Sequence, residues 1–125
     1  MNIPNNLMYT KEHEWLEIND DSIKVGISDF AQSQLGDIIY IDLPSIGDQV
    51  VAGESFGEIE AVKTVSELYS PVTGVVSSIN ESVLDKPEQI NDSPYNFGWL
   101  IVISKTASPQ FVELLDPDSY KKIIS

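Results

Sequence analysis

The sequence predicts a mainly β domain, an antiparallel sandwich or flattened barrel with small peripheral helices. Three observations carry that expectation. Short runs rich in β-branched and aromatic residues recur along the chain, separated by turn residues about every eight to twelve positions. Ser55 to Ala61 and Val65 to Pro71 are two such runs that face each other as the arms of one hairpin, flanked by Gly53 and Gly74. Helix signals are few, and each opens only a short segment. A chain of 125 residues is one ordinary domain, 1–125, able to bury a single core without staples.

In chain order, Tyr9 to Ile18 and Ser22 to Ile27 read as strands joined by the turn Asn19-Asp20-Asp21. Ser28 to Gly36 reads as a short helix, because Ser28 can cap it, Asp29 suits its positive end and Gly36 can supply a left-handed stop. Asp37 to Leu43 alternates as a strand and is closed by the loop Pro44 to Asp48, before Val50, Val51 and the central hairpin. Val75 to Ile79 is a further strand, and Asn80 to Gly98 reads as irregular, with Pro87, Pro94 and several Asn and Asp. Trp99 to Ser104 is the most apolar run and reads as a core strand. Ser108-Pro109 and Asp116-Pro117 each put a capping side chain before a proline, so two helices are expected to start there, the second ending on Lys121 and Lys122. Gly47-x-x-Val50 and Asn80-x-x-Val83 read as a faint internal echo, each preceding further strands.

The hairpin tip breaks a local rule. Two-residue hairpin turns favour Asn-Gly or Asp-Gly because their backbone needs positive φ, yet the tip is Val62-Lys63-Thr64. Poor turn chemistry of this kind marks a place where function overrides folding preference. Taken alone, Lys63 would read as an ordinary solvating charge.

Composition narrows the chemistry. No cysteine is present, so neither a disulfide framework nor a thiolate zinc site is available. A net charge of −13 disfavours nucleic acid and anionic membrane as partners and favours basic protein surfaces. No apolar run approaches a membrane span, and Met1 to Asn6 has neither a signal-peptide nor a transit-peptide pattern, so a cytoplasmic protein is expected. There is no Gly-rich phosphate loop, no recognisable Ser-His-Asp set and no metal cluster. His13, beside Trp15, reads as a structural histidine. The expectation is a carrier, not an enzyme.

Several motifs together resemble the glycine cleavage system H protein family of lipoyl carriers. They are Gly47-Asp48, Gly53-Glu54, Glu60-Ala61-Val62-Lys63, Ser70-Pro71 and Gly74-Val75 around the hairpin. His13-Glu14-Trp15, Gly26-Ile27-Ser28, Leu35-Gly36-Asp37 and Ser93-Pro94-Tyr95 extend the match over nearly the whole chain, in order. The resemblance implies a hammerhead fold of two-fold pseudo-symmetry and lipoic acid in amide linkage on Lys63, with Glu60 and Gly74 helping the lipoate-attaching enzyme recognise the hairpin. It also implies three further partners: a glycine decarboxylase that loads an aminomethyl group, an aminomethyltransferase that passes it on, and a dihydrolipoamide dehydrogenase that reoxidises the arm. Glu14 and Glu67 are the candidates for holding the loaded, protonated arm, with Glu12 and Glu60 behind them; for Glu14 the plainer reading is an exposed strand carboxylate.

Rival readings differ at named residues. A biotin carrier typically has methionines beside its lysine, where this chain has Val62 and Thr64. A lipoyl domain of a 2-oxo acid dehydrogenase typically has Asp before the lysine and a flexible linker. A free-standing relay that donates lipoate to other complexes shares the same pattern, and an unmodified acidic interaction domain would carry no lipoate.

Overall fold

The computed structural model describes all 125 residues. Two antiparallel sheets face each other. The larger contains β1 (Met8–Tyr9), β2 (Glu14–Ile18), β3 (Ser22–Ile27), β5 (Gln49–Val50), β8 (Gly74–Ile79) and β9 (Ile101–Lys105), in the spatial order β1-β2-β3-β9-β8-β5. The smaller contains β4 (Ile38–Asp42), β6 (Ser55–Ala61) and β7 (Val65–Tyr69), in the order β4-β6-β7. Alternation along each strand sends Leu16, Val25, Val76 and Ile103 from one sheet and Ile41, Ile59 and Leu68 from the other into one core cluster.

A second apolar cluster covers the outer face of β2. Trp15 and Leu16, adjacent on that strand, are both buried, so the strand is covered on both sides. Trp15 packs with Ile3, Leu7, Tyr9 and Tyr120, the last from α4 (Pro117–Ile124), whose N-cap is Asp116 as expected. Opposite Trp15 in the ladder stands Gly26. A Cβ there would come within 2.5 Å of the indole, whose Nε1 donates to the Pro94 carbonyl at 2.9 Å. Gly26→Ala should therefore cost about 1–3 kcal/mol through overpacking, read as a lowered midpoint in urea; an unchanged midpoint would mean that the indole swings clear freely.

The predicted helix after Ser28 is present as α1 (Asp29–Leu35), capped by the Ser28 side chain and stopped by Gly36 at φ 77°. Four expectations need correction. The run Tyr9 to Ile18 is not one strand: the chain turns between Thr10 and His13, and β1 pairs back onto β2. Asn80 to Gly98 is not irregular throughout, since it forms α2 (Glu81–Asp85) and α3 (Glu88–Asp92); Asn80 accepts from Ser82 N–H as the α2 cap, so Asn80-x-x-Val83 opens a helix, not a strand. β9 begins at Ile101, leaving Trp99 outside it with Lys24 Nζ 5.5 Å from its ring centre. No helix follows Ser108-Pro109. That segment is extended because its backbone is taken up by tertiary pairing: Val112 N–H donates to Pro71 O at 2.9 Å and Leu115 N–H to Tyr9 O at 2.7 Å.

Candidate functional site

Lys63 stands exposed at the tip of the β6–β7 hairpin. The turn closes without any residue of positive φ among Val62, Lys63 and Thr64. Ala61 N–H donates to Thr64 O at 2.8 Å, and Val62 N–H donates to Asp37 O at 3.1 Å. Support from the α1–β4 connection thus replaces the usual turn chemistry. That connection is itself held by Asn91 of α3. Its Nδ2 donates to Gly36 O at 2.8 Å and to Gln32 Oε1 at 3.0 Å, and its Oδ1 accepts from Ile38 N–H at 3.0 Å. Asn91 had no signal in the sequence, because an Asn in a stretch of turn formers reads as one more turn former.

Beside the tip, Val62 and Lys63 share a cavity of about 450 Å³ with Ser33 to Asp37 at the end of α1. Gln34 and Leu35 also line a cleft of about 280 Å³. Both cavities therefore lie along α1, with Gln34 and Leu35 in the linings of each. Ile27, Phe30, Leu35, Ile59 and Leu68 give the cleft apolar walls, and Glu12, His13, Glu14, Ser66 and Glu67 border its polar end.

Glu14 is 2% exposed, which rules out the exposed-carboxylate reading. Thr10 Oγ1 donates to its Oε1 at 2.8 Å and Tyr69 N–H to its Oε2 at 3.0 Å. No cation touches it: the single ion pair in the molecule is Lys11–Glu113. Burial pushes its carboxyl up to about 8, against the pull of the two hydrogen bonds. The folded state then binds the proton more tightly than the unfolded chain. Its contribution to stability is complete below the ordinary value of 4.5 and is lost as pH rises through about 8. Melting temperatures measured from pH 4 to 9 should fall more steeply for wild type than for Glu14→Gln across this window; parallel curves would mean that Glu14 is already charged in the fold.

His13 has the only non-glycine positive φ, 69°. Neighbours in a regular strand point to opposite faces; the left-handed backbone at His13 breaks that alternation, so His13 and Glu14 both reach the cleft. The ring fits the structural reading in its other contacts, with Nδ1 2.9 Å from the Tyr120 hydroxyl and Phe30 at 5.0 Å between ring centres.

Glu67 also borders the cleft, but it is exposed and its carboxylate accepts from the Ser55 hydroxyl. Register puts Glu67 opposite Glu58, and Glu58 opposite Asp42, a row of carboxylates across the small sheet. Glu60 is exposed three residues before Lys63, between Tyr40 and Val65 in the same ladder. Gly74 is not brought to the tip. It lies buried in β8 at the far end of the hairpin, where a Cβ would meet Ser104 O at 2.5 Å, so close packing alone requires a glycine there.

The family model of the glycine cleavage H-protein matches residues 7–125. The chain belongs to that family. Over 124 residues it is 51% identical to the glycine cleavage system H protein of Halalkalibacterium halodurans, covering 99% of this chain and 97% of that one. It is 48% identical to a namesake from Listeria monocytogenes, with 99% of each covered. The crystal structure of a glycine cleavage system H protein from Mycobacterium marinum superposes with a TM-score of 0.91 at 38% identity, over 97% of this chain and 98% of that one. Full-length kinship of this kind sets aside the biotin carrier and the 2-oxo acid dehydrogenase domain.

Proposed function

We propose that the protein carries lipoic acid in amide linkage on Lys63 and shuttles an aminomethyl group from glycine decarboxylase to aminomethyltransferase, with dihydrolipoamide dehydrogenase restoring the arm. The observation that carries this reading is the placement of two cavities along α1, one lined by Lys63 and the other by Glu14, with Gln34 and Leu35 common to both. Their residues suit the group. A lysine so extended is about fourteen bonds of roughly 1.5 Å long, hence reaches well over 10 Å, whereas Leu35 to Phe30 is five residue steps of α1, about 7.5 Å. Apolar walls match its hydrocarbon chain, and a carboxyl at the end matches an amine. When bound, the group supplies a reversible dithiol and the sulfur to which the load is attached.

The chain's own residues do the rest. The braced tip fixes the root of the arm, so that tethering is not wasted on a mobile base. The apolar walls of the cleft cover the load on the sides they face. Glu14 accepts the ammonium as the principal contact; Glu67, exposed and shared with Ser55, assists only from the rim. Glu60 offers the lipoate-attaching enzyme a contact on the exposed face, while Gly74 serves recognition only by holding the base of the hairpin. The carboxylate row of Asp42, Glu58 and Glu67 suits basic rims on the partner enzymes. We place the protein in the cytoplasm, as a carrier subunit without catalysis of its own.

Incubation of the lipoylated protein with glycine, pyridoxal phosphate and glycine decarboxylase tests this. Intact mass should rise by one aminomethyl group, mapped to the Lys63 peptide. A lipoylated protein that never accepts the load, yet passes its lipoate to other complexes, would be the relay instead.

A further inference from the structure

Glu14 differs from an ordinary cation-binding carboxylate in three respects. Its side chain is buried, its two partners are neutral donors, and no cation lies within ion-pair distance of it. From its own turn, Glu12 is another acid and His13 is the only base. From β7 come Glu67 and the Tyr69 backbone, from α4 the Tyr120 phenol, and α1 presents Phe30, Ala31, Gln34 and Leu35. Lys11, across a second cavity that Glu14 also borders, is 66% exposed and paired with Glu113 at 3.0 Å.

Hydrogen-bond polarity favours the neutral form of His13. Ser28 is fully buried, and its Oγ already accepts from Ala31 N–H at 3.1 Å. The acceptor available to its own proton is the Tyr120 hydroxyl oxygen at 2.6 Å. Tyr120, kept a phenol by burial at about 12, then gives its proton to His13 Nδ1 at 2.9 Å. Protonating Nδ1 would reverse the chain and leave the Ser28 hydroxyl without an acceptor, a costly loss in a buried site. Burial lowers the His13 pKa in the same direction. No counter-ion therefore exists for a Glu14 carboxylate in the empty cleft, and an unpaired buried charge is resolved by taking up a proton.

We propose that Glu14 is an uncharged acid while the cleft holds no cation, and gives up its proton when an ammonium is seated beside it, so that loading the arm releases one proton. The inference rests on the lipoyl reading of Lys63 and adds the charge state of its receiving site. The cleft matches both states of the arm: a neutral arm meets a neutral acid, and a cationic load meets a carboxylate. The second cavity, of about 420 Å³, gives the displaced proton a route to solvent while the arm fills the first.

Chemical loading makes the proton countable. A dihydrolipoyl thiol, formaldehyde and ammonium combine to an S-linked aminomethyl ammonium group and water, with one C–S and one C–N bond formed and no net proton. Reduced, lipoylated protein loaded in this way at pH 6 should release about one proton per chain more for wild type than for Glu14→Gln, because protons released by formaldehyde acting on ammonium and on surface lysines are common to both, read with a pH indicator in weak buffer. Infrared difference spectra of wild type, loaded minus unloaded, should show a carboxylic acid C=O band lost and a carboxylate band gained, both shifted by ¹³C-labelled glutamate. Equal proton counts in the two proteins, or an infrared difference without loss of an acid band, would overturn the proposal. A protein that bears no lipoate on Lys63 would instead fail the functional reading before this step is reached.

Discussion

A Lys63→Arg variant purified from lipoate-replete cells is expected to fold as wild type does and to carry no lipoyl group. Arginine keeps the charge and the reach but offers no amine that can be acylated at neutral pH. The tip is exposed and its closure uses backbone groups only, Ala61 N–H to Thr64 O and Val62 N–H to Asp37 O, so the stability change should stay within about 0.5 kcal/mol. None of the six other lysines stands at the tip of this hairpin: Lys11, in the β1–β2 turn, pairs with Glu113, Lys24 lies over Trp99, and Lys86, Lys105, Lys121 and Lys122 are far along the chain. Intact mass and peptide mapping decide the matter. Lipoate on any other lysine of the variant would sink the assignment, and a melting temperature several degrees lower would show that the lysine side chain packs on the body.

Glu14→Gln should shorten the life of the aminomethyl load about ten- to a hundredfold, and Glu67→Gln by no more than about fivefold. From the sequence alone the two carboxylates read as equivalent, each expected to contribute the 0 to 1 kcal/mol or so of an exposed ion pair. Burial separates them. A hydrogen bond to a charged group in a desolvated site is worth about 1.5–3 kcal/mol, and a low local dielectric also shields it from salt. Half-lives followed by mass spectrometry at low and high salt should therefore show a large, salt-insensitive effect for Glu14→Gln and a small effect for Glu67→Gln that added salt reproduces in wild type. Equal lifetimes in all three proteins would leave protection of the load to the shape of the cleft alone.

Residues around the hairpin were legible early because their signals are local. The two arms are short runs of β-branched and aromatic residues bounded by turn residues, and Lys63 stood out by sitting where a turn residue was expected. The same was true of α1, whose cap, first-turn acid and terminal glycine lie within nine residues, Ser28 to Gly36. Local signals misled at Ser108-Pro109, where a good cap and proline could not compete with strand-like pairing to Pro71 and Tyr9. They were silent about Asn91, whose three hydrogen bonds hold the wall beside Lys63 from a distant part of the chain.

The sequence by itself determined the sheet-rich class, the hairpin with Lys63 at its tip and the family, since each follows from strand-like runs, spacing or motif along the chain. Tertiary structure alone decided how the carboxylates are placed. Glu14 and Glu67 are one residue type in similar strand contexts, but the turn at His13 with φ 69° lets Glu14 join His13 at the cleft, and β7 closes over it through Tyr69 N–H. Glu67 stays in solvent beside Ser55. Charge state depends on desolvation and on which groups lie nearby in space, and neither quantity is written in the order of residues.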